Sequence, residues 1–320
     1  MIGKGNDCLA PTYVKIPGYN ERLRVRCGHC ISCKLQRSLE WSVRLELESQ
    51  YWSNLSFVTL TYADEYLPVQ YWSSKIWDEE NQEEMVPYST LFKRDLQLFF
   101  KRLRKSAELE SRWFPKSGKS ASLRYFAVGE YGTRGTKRPH YHLILFGYGQ
   151  EKAEQELIAS CWGKGFTDVR PFFPETCVYV AGYVQKKLYG GQDELSFRNP
   201  EFLLCSKFLG LEWLLDHKYM FDDDHCYIPL SDKKGHTYKH PLNRYFRKVL
   251  IKLGVLSEQS QIGMALRQLL DYRKLLEVLK TRQIAPEAFF RHRYKIMTEK
   301  ENKHNRKRDY TGDNFITEVN

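Results

Sequence analysis

The chain has 320 residues, enough for one main domain with accessory segments and too many for a single small core. Lys and Arg number 50 against 39 Asp and Glu, a net charge of +11, and 14% of residues are aromatic; the mix suits nucleic acid, because cations neutralise phosphate while rings stack on unpaired bases. No stretch approaches the ~20 apolar residues of a membrane helix and "MIGKGNDCLAPTYVK" lacks the apolar core of a signal peptide, which speaks against a membrane protein and for a cytoplasm, where cysteines serve as thiols or metal ligands before disulfides.

In chain order, residues 1–33 are polar, basic and cysteine-bearing, with no clear period. "KLQRSLEWSVRLELESQY" from Lys34 lacks Gly and Pro and repeats Leu39, Val43 and Leu47 at helical spacing, so residues 1–55 read as a cysteine-rich segment and a helix. "SFVTLTY" at 56–62 switches to β-branched and aromatic residues, a strand. The next helix, from 89, sets Phe92, Leu96, Phe99 and Leu103 on one face, with Lys101, Arg102, Arg104 and Lys105 at its dipole-negative end. "LRYFAVGE" at 123–130 and "HYHLILFG" at 140–147 flank the Gly-rich "YGTRGTKRP", an antiparallel hairpin. "EKAEQELIASCWGKG" reads as a helix stopped by Gly163, "FTDV" as a short strand, and "PETCVYVAGYVQKKL" as a helix with Pro174 in its first turn. The expected fold is α+β, an antiparallel sheet covered by helices over 56–190, then an accessory segment at 191–254 and a basic helical extension at 255–320.

Strand alternation puts His140 and His142 on one face and Tyr141, Leu143 and Leu145 on the other. Glu130 ends the preceding strand, and a hairpin brings it opposite the histidines. Two imidazoles and a carboxylate make a three-ligand metal site with open positions, the geometry of a catalytic ion. Two histidines satisfied by hydrogen bonds would give the same H-x-H. Further on, Tyr179 and Tyr183 stand at i and i+4 with Lys186 three beyond, so two phenols and an ammonium share one helical surface. An aromatic stripe packed on the sheet has that spacing too, although Gly182 beside it costs a helix about 1 kcal/mol relative to alanine. Cys27, Cys30 and Cys33 form C-x-x-C-x-x-C, and Cys8 is a natural fourth thiolate for tetrahedral zinc. Free thiols and an iron–sulfur cluster are the alternatives, but the ferredoxin run continues to a fourth cysteine and proline where this one has Lys34. Cys161, Cys177, Cys205 and Cys226 read as ordinary buried cysteines, "DDD" at 222–224 as a solvated loop, and "NKHNRKRD" as a basic tail.

His140-Tyr141-His142 resembles the metal motif of the HUH endonucleases, "FVTLTY" their first strand motif, and Tyr179-x-x-x-Tyr183-x-x-Lys186 the two-tyrosine signature of rolling-circle replication initiators. "CGHCISC", "FVTLTY", "GEYG", "RPHYHLILFG" and "YVAGYVQKK", in that order over residues 8–190, look like the replication initiators of gokushovirus-type microviruses. The resemblance implies an HUH, ferredoxin-like core that holds magnesium or manganese on Glu130, His140 and His142, with Tyr179 and Tyr183 as nucleophiles and Lys186 assisting. It further implies nicking and joining of single-stranded or supercoiled circular viral DNA at an origin through a 5′-phosphotyrosine, in a bacterial host's cytoplasm and with its replication machinery. A non-catalytic, zinc-stabilised DNA-binding protein and an HUH transposase or plasmid initiator are the rival readings.

Overall fold

The computed structural model describes residues 8, 11–15, 22–74, 84–109, 123–132, 137–186, 198–231, 237–258 and, further on, 270, 273–286, 288–289, 291–293, 295–296 and 299. The chain divides into two compact units, one of Met1–Gln36 with Leu211–Asn320 and one of Arg37–Gly210. In the first, strands β1 (Thr12–Lys15) and β2 (Arg22–Val25) pair antiparallel, Thr12 opposite Val25, and helix α1 begins at Ile31, running to Ser49.

The second unit is built on strand β3 (Leu55–Tyr62), followed by a small hairpin of β4 (Val69–Ser74) and β5 (Glu84–Ser89) and by helix α2 (Lys93–Leu109). Strands β6 (Arg124–Tyr131) and β7 (Pro139–Phe146) form the expected hairpin. Helix α3 (Lys152–Trp162) ends on Gly163 in the left-handed region at φ 59°, where a side chain would be strained. Strand β8 (Gly165–Pro171), helix α4 (Pro174–Lys186) and strand β9 (Phe202–Cys205) complete the unit. The five-stranded sheet runs β8-β3-β7-β6-β9, and every neighbouring pair is antiparallel.

Alternation sorts the side chains onto two faces, each with its own cover. On one, Val58, Leu60, Tyr141, Leu143 and Leu145 pack against Leu96, Phe99, Phe100 and Leu103 of α2 and Ile158 and Trp162 of α3. On the other, Phe126, Val128, Ile144 and Phe146 pack against Leu45 of α1 and Cys177, Val180 and Ala181 of α4. Each such fully buried large apolar side chain contributes roughly 1.5–3 kcal/mol. The second face carries the histidines, and its helices leave one end of the sheet uncovered: His140 and Thr61 are half-buried, whereas Ile144 is fully buried.

Phe92 departs from expectation. The helix starts one residue later, and the Phe92 side chain is exposed while its backbone N–H donates to the Tyr141 hydroxyl at 3.1 Å. Leu39 is exposed as well, whereas Val43 and Leu47 are buried. The Tyr141 phenol, in turn, meets Tyr62 at 2.9 Å, and Tyr62 donates to Asp95, also at 2.9 Å. Burial pushes the Tyr141 hydroxyl up to about 12, so this tyrosine between the histidines is a neutral structural group facing the other way.

The remainder of the first unit holds helix α5 (Leu211–Asp216), a hairpin of β10 (Tyr227–Ser231) and β11 (Thr237–Pro241), and helix α6 (Arg244–Lys252), capped by the Asn243 side chain accepting from Phe246 N at 2.8 Å. Residues 273–281 are helical, and the basic tail "NKHNRKRD" lies outside the described residues. Among the described residues no helix is long and apolar enough to cross a membrane.

Candidate functional site

The register of the hairpin fixes the site. Glu130 stands directly opposite His140, and Val128 opposite His142. Because Glu130, His140 and His142 share one face, the Glu130 carboxylate also reaches diagonally, and its Oε1 lies 3.0 Å from His142 Nε2. Both side chains are buried. From β3, Thr59 is paired with His142 and its Oγ1 lies 3.1 Å from Nδ1, so both nitrogens of that ring are held. His140 differs: its Nδ1 is buried with no hydrogen-bond partner. Burial, reinforced by the neighbouring His142, keeps the His140 imidazole below its ordinary pKa and therefore neutral, the form that ligates metals.

This donor set fits a divalent ion in composition, and in geometry for two of its members. Ligands about 2.1 Å from one ion at right angles lie about 3 Å apart, the separation of His142 Nε2 and Glu130 Oε1. An ion between them would take the place of the proton they now share. His140 completes the set only if its imidazole shifts, since among the described residues the four cysteines alone bring three or more donor atoms within 4.8 Å of one another.

Helix α4 covers the same face. The Tyr179 ring, 39% exposed, meets His142 edge-on at 6.1 Å between centroids and Phe57 edge-on at 5.9 Å, while Phe57 stacks on His142 at 5.8 Å. A phenol thus borders the histidine pair while keeping access to solvent. Tyr183 and Lys186 follow on α4, and their side chains lie outside the described residues. Gly182 is buried, as a small residue beside an approaching strand should be.

Cys8, Cys27, Cys30 and Cys33 come together in the first unit. Their Sγ–Sγ distances include 3.5, 3.6, 3.8 and 3.9 Å, matching the edge of about 3.8 Å of a tetrahedron with zinc–sulfur bonds of about 2.3 Å. Backbone N–H groups of His29 and Cys30 point at Cys27 Sγ, and that of Cys27 at Cys8 Sγ. Burial opposes ionisation of Cys27, but these donations outweigh it and bring its thiol down to about 6. The cluster is one that could hold zinc. Of the scattered cysteines, Cys161 and Cys177 are buried, whereas Cys205 and Cys226 are only partly so.

Two neighbours of the site carry no motif of their own. Thr59 is signalled only by alternation in "SFVTLTY", which puts Phe57, Thr59 and Thr61 on the histidine face. Arg138 donates to the Asp64 carboxylate and, at 2.9 Å, to the Tyr62 carbonyl, tying the root of the hairpin to the end of β3.

An antiparallel sheet between helix pairs, with two histidines and a carboxylate on adjacent strands and a helix over that face, is an α+β core of the HUH class. The chain belongs to the family of microvirus replication-associated proteins: the family described as replication-associated protein ORF2 matches residues 55–188, and replication-associated protein ORF2 of Spiroplasma virus 4 is 30% identical over 238 residues. Replication-associated protein VP4 of Bdellovibrio phage phiMH2K is 28% identical over 236 residues, and replication-associated protein ORF4 of Chlamydia phage 1 is 27% identical over 260. These alignments cover 69%, 69% and 73% of this chain and 66%, 65% and 55% of those proteins, just under two thirds or less of their length. The solved N-terminal nuclease domain of minute virus of mice non-structural protein-1 aligns over 68% of this chain and 98% of that chain at 11% identity, but a TM-score of 0.22 is too low to carry an argument.

Proposed function

We propose that the chain is a site-specific single-stranded DNA endonuclease and ligase that starts rolling-circle replication of a small circular phage genome. The observation that carries the reading is the meeting of Glu130 and His142, at 3.0 Å, with the exposed Tyr179 ring against that same histidine. A DNA-binding protein without chemistry needs neither a carboxylate held on an imidazole nor a phenol beside it.

Glu130, His140 and His142 would hold the divalent ion, magnesium or manganese, which when bound offsets charge developing on a phosphate oxygen. Thr59 keeps His142 in one ring orientation, and Lys186 favours ionisation of a phenol whose unperturbed pKa is ~10. The oxygen of Tyr179 or Tyr183 attacks phosphorus, the new O–P bond forms as the bond to the 3′-oxygen breaks, and that oxygen leaves as a free 3′-OH able to prime synthesis. The 5′-phosphotyrosine retains a phosphodiester, so attack by a 3′-OH reseals the strand without an outside energy source. Zinc on Cys8, Cys27, Cys30 and Cys33 would staple an N-terminal segment that lacks a core of its own. The partners of this reading are circular viral DNA at its origin and the host's replication machinery, in the bacterial cytoplasm.

Incubating the full chain with labelled single-stranded oligonucleotides tiled across candidate origins, with magnesium, manganese or chelator, tests it. The expected result is metal-dependent cleavage at one position with a covalent protein–DNA adduct. Tight binding with no cleavage under any metal would instead leave a zinc-stabilised DNA-binding protein.

A further inference from the structure

Strand β8 forms one edge of the sheet, and its pairing with β3 places Phe166 opposite Thr61, which is itself opposite His140, which is opposite Glu130. Directly paired residues share a face, so Phe166 opens the row of side chains that contains the candidate site. With strands about 4.8 Å apart, the ring stands roughly 10 Å from His140.

Phe166 is 71% exposed, so packing does not explain it. Its alternate neighbours Thr167 and Val169 turn to the other face, where Val169 joins the core, while Asp168 and Arg170 share its side and pair with each other at 2.7 Å. Edge strands ordinarily blunt themselves with charge, and Phe166 is the place where β8 does not.

The ring is also held in place. Gly165, at φ 144°, lies so close to β3 that a Cβ on it would meet Ala63 N at 2.3 Å. Ala63 N donates to Lys164 O at 3.0 Å, and Trp162 Nε1 donates to Thr61 O at 3.1 Å, so β8 is clamped on both sides of the glycine. A flat apolar ring, fixed to a rigid strand, facing solvent and in line with a phosphate-handling site, has the properties of a stacking platform.

We infer that Phe166 is a positioning residue that stacks on an unpaired base of a single DNA strand lying across the histidine face. The inference rests on the reading of that face as a DNA nicking site, and it deepens that reading by naming a residue that orients the strand. A stacked base fixes the register of the neighbouring phosphates without reading sequence, because every base has a π face.

The test uses the full chain with metal chelated, and anisotropy of two labelled strands of equal length and phosphate number, a thymidine homopolymer and a fully abasic strand. Phe166→Ala should weaken binding of the thymidine strand about tenfold, near 1.4 kcal/mol, and leave binding of the abasic strand unchanged. Phe166→Trp should restore the loss, and Phe166→Leu, apolar but not flat, should not. On a cleavable oligonucleotide the loss should fall in KM with kcat little changed. Equal binding of the thymidine strand by wild type and Phe166→Ala, equal loss on both strands, or full rescue by leucine would each overturn the inference. Binding is read without metal, so the two readings fail separately: a protein that shows the Phe166 dependence but never nicks loses the nicking reading alone, and one that nicks but is indifferent to Phe166 loses this one alone.

Discussion

Thr59 Oγ1 and His142 Nδ1 lie 3.1 Å apart, leaving Nε2 of the same ring to face Glu130 Oε1 at 3.0 Å. One hydroxyl therefore decides which nitrogen is offered to the site. Thr59→Val keeps the shape and β-branching and removes the partner, so nicking should fall roughly 10–100-fold with a matching rise in the metal concentration needed. Thr59→Ser should restore most of it. A metal titration of the nicking rate for the three proteins reads this out, and coincident curves would show that the hydroxyl does nothing for the ring.

Gly132 tests His140 in the same way. A Cβ at Gly132 would lie 3.1 Å from His140 Nε2, while the backbone bond from Gly132 N to Arg138 O, 3.0 Å, would survive. Gly132→Ala should displace the imidazole by a few tenths of an ångström and cost about tenfold in metal affinity or activity, with melting temperature nearly unchanged. A large loss of stability with normal activity per folded molecule would show that the glycine serves the hairpin and not the histidine.

The cysteine cluster makes a prediction that is independent of DNA. Protein purified without added metal should carry one zinc, retained in His140→Ala and lost in the Cys27→Ser/Cys30→Ser double variant, as measured by elemental analysis. Chelator should make residues 1–36 protease-sensitive before the rest, because metal binding and ordering of this segment are one event. Stoichiometric zinc in the double variant would move the metal elsewhere.

Stability of the second unit rests partly on Glu48. It is buried, and it accepts from Trp52 Nε1 at 2.9 Å and Gly210 N at 2.7 Å and pairs with Arg124 at 2.8 Å. Glu48→Ala strands a guanidinium and two N–H donors, so urea unfolding should show a loss of about 3–5 kcal/mol. Glu48→Gln, which still accepts two bonds, should lose clearly less. Equal losses would mean that the charge carries the whole effect.

How legible this was depended on sequence distance. The β6–β7 hairpin was readable because its strands are adjacent and their alternation is strict, so Glu130, His140 and His142 fall on one face by parity alone. Thr59 acquires its role only when β3 pairs with β7, 83 residues away, and no local pattern announces that pairing. Strand β9, four residues of "FLLC" half-covered at the sheet edge, is too short to show a period, though it supplies the fifth strand. Phe92 and Leu39 fit a helical repeat and are exposed, because periodicity gives a face without saying where the helix begins or which neighbour covers it.

The tyrosines give the most direct test of the chemistry. Tyr179 touches His142 and Phe57 through its ring, so Tyr179→Phe keeps those contacts and removes only the hydroxyl. Tyr183 sits one helical turn away, which puts either phenol within reach of one phosphate if both act. Each single phenylalanine variant should then retain part of the cleavage and the double variant none, with single-strand binding intact in all three because phosphate contacts come from dispersed cations. Trapping the covalent adduct with labelled DNA and mapping the modified peptide should place it on 179 or 183, and in each single variant on the tyrosine that remains. Cleavage that persists in the double variant, or an adduct on neither residue, would mean that water or another side chain attacks, leaving Tyr179 as a packing partner of His142 and nothing more.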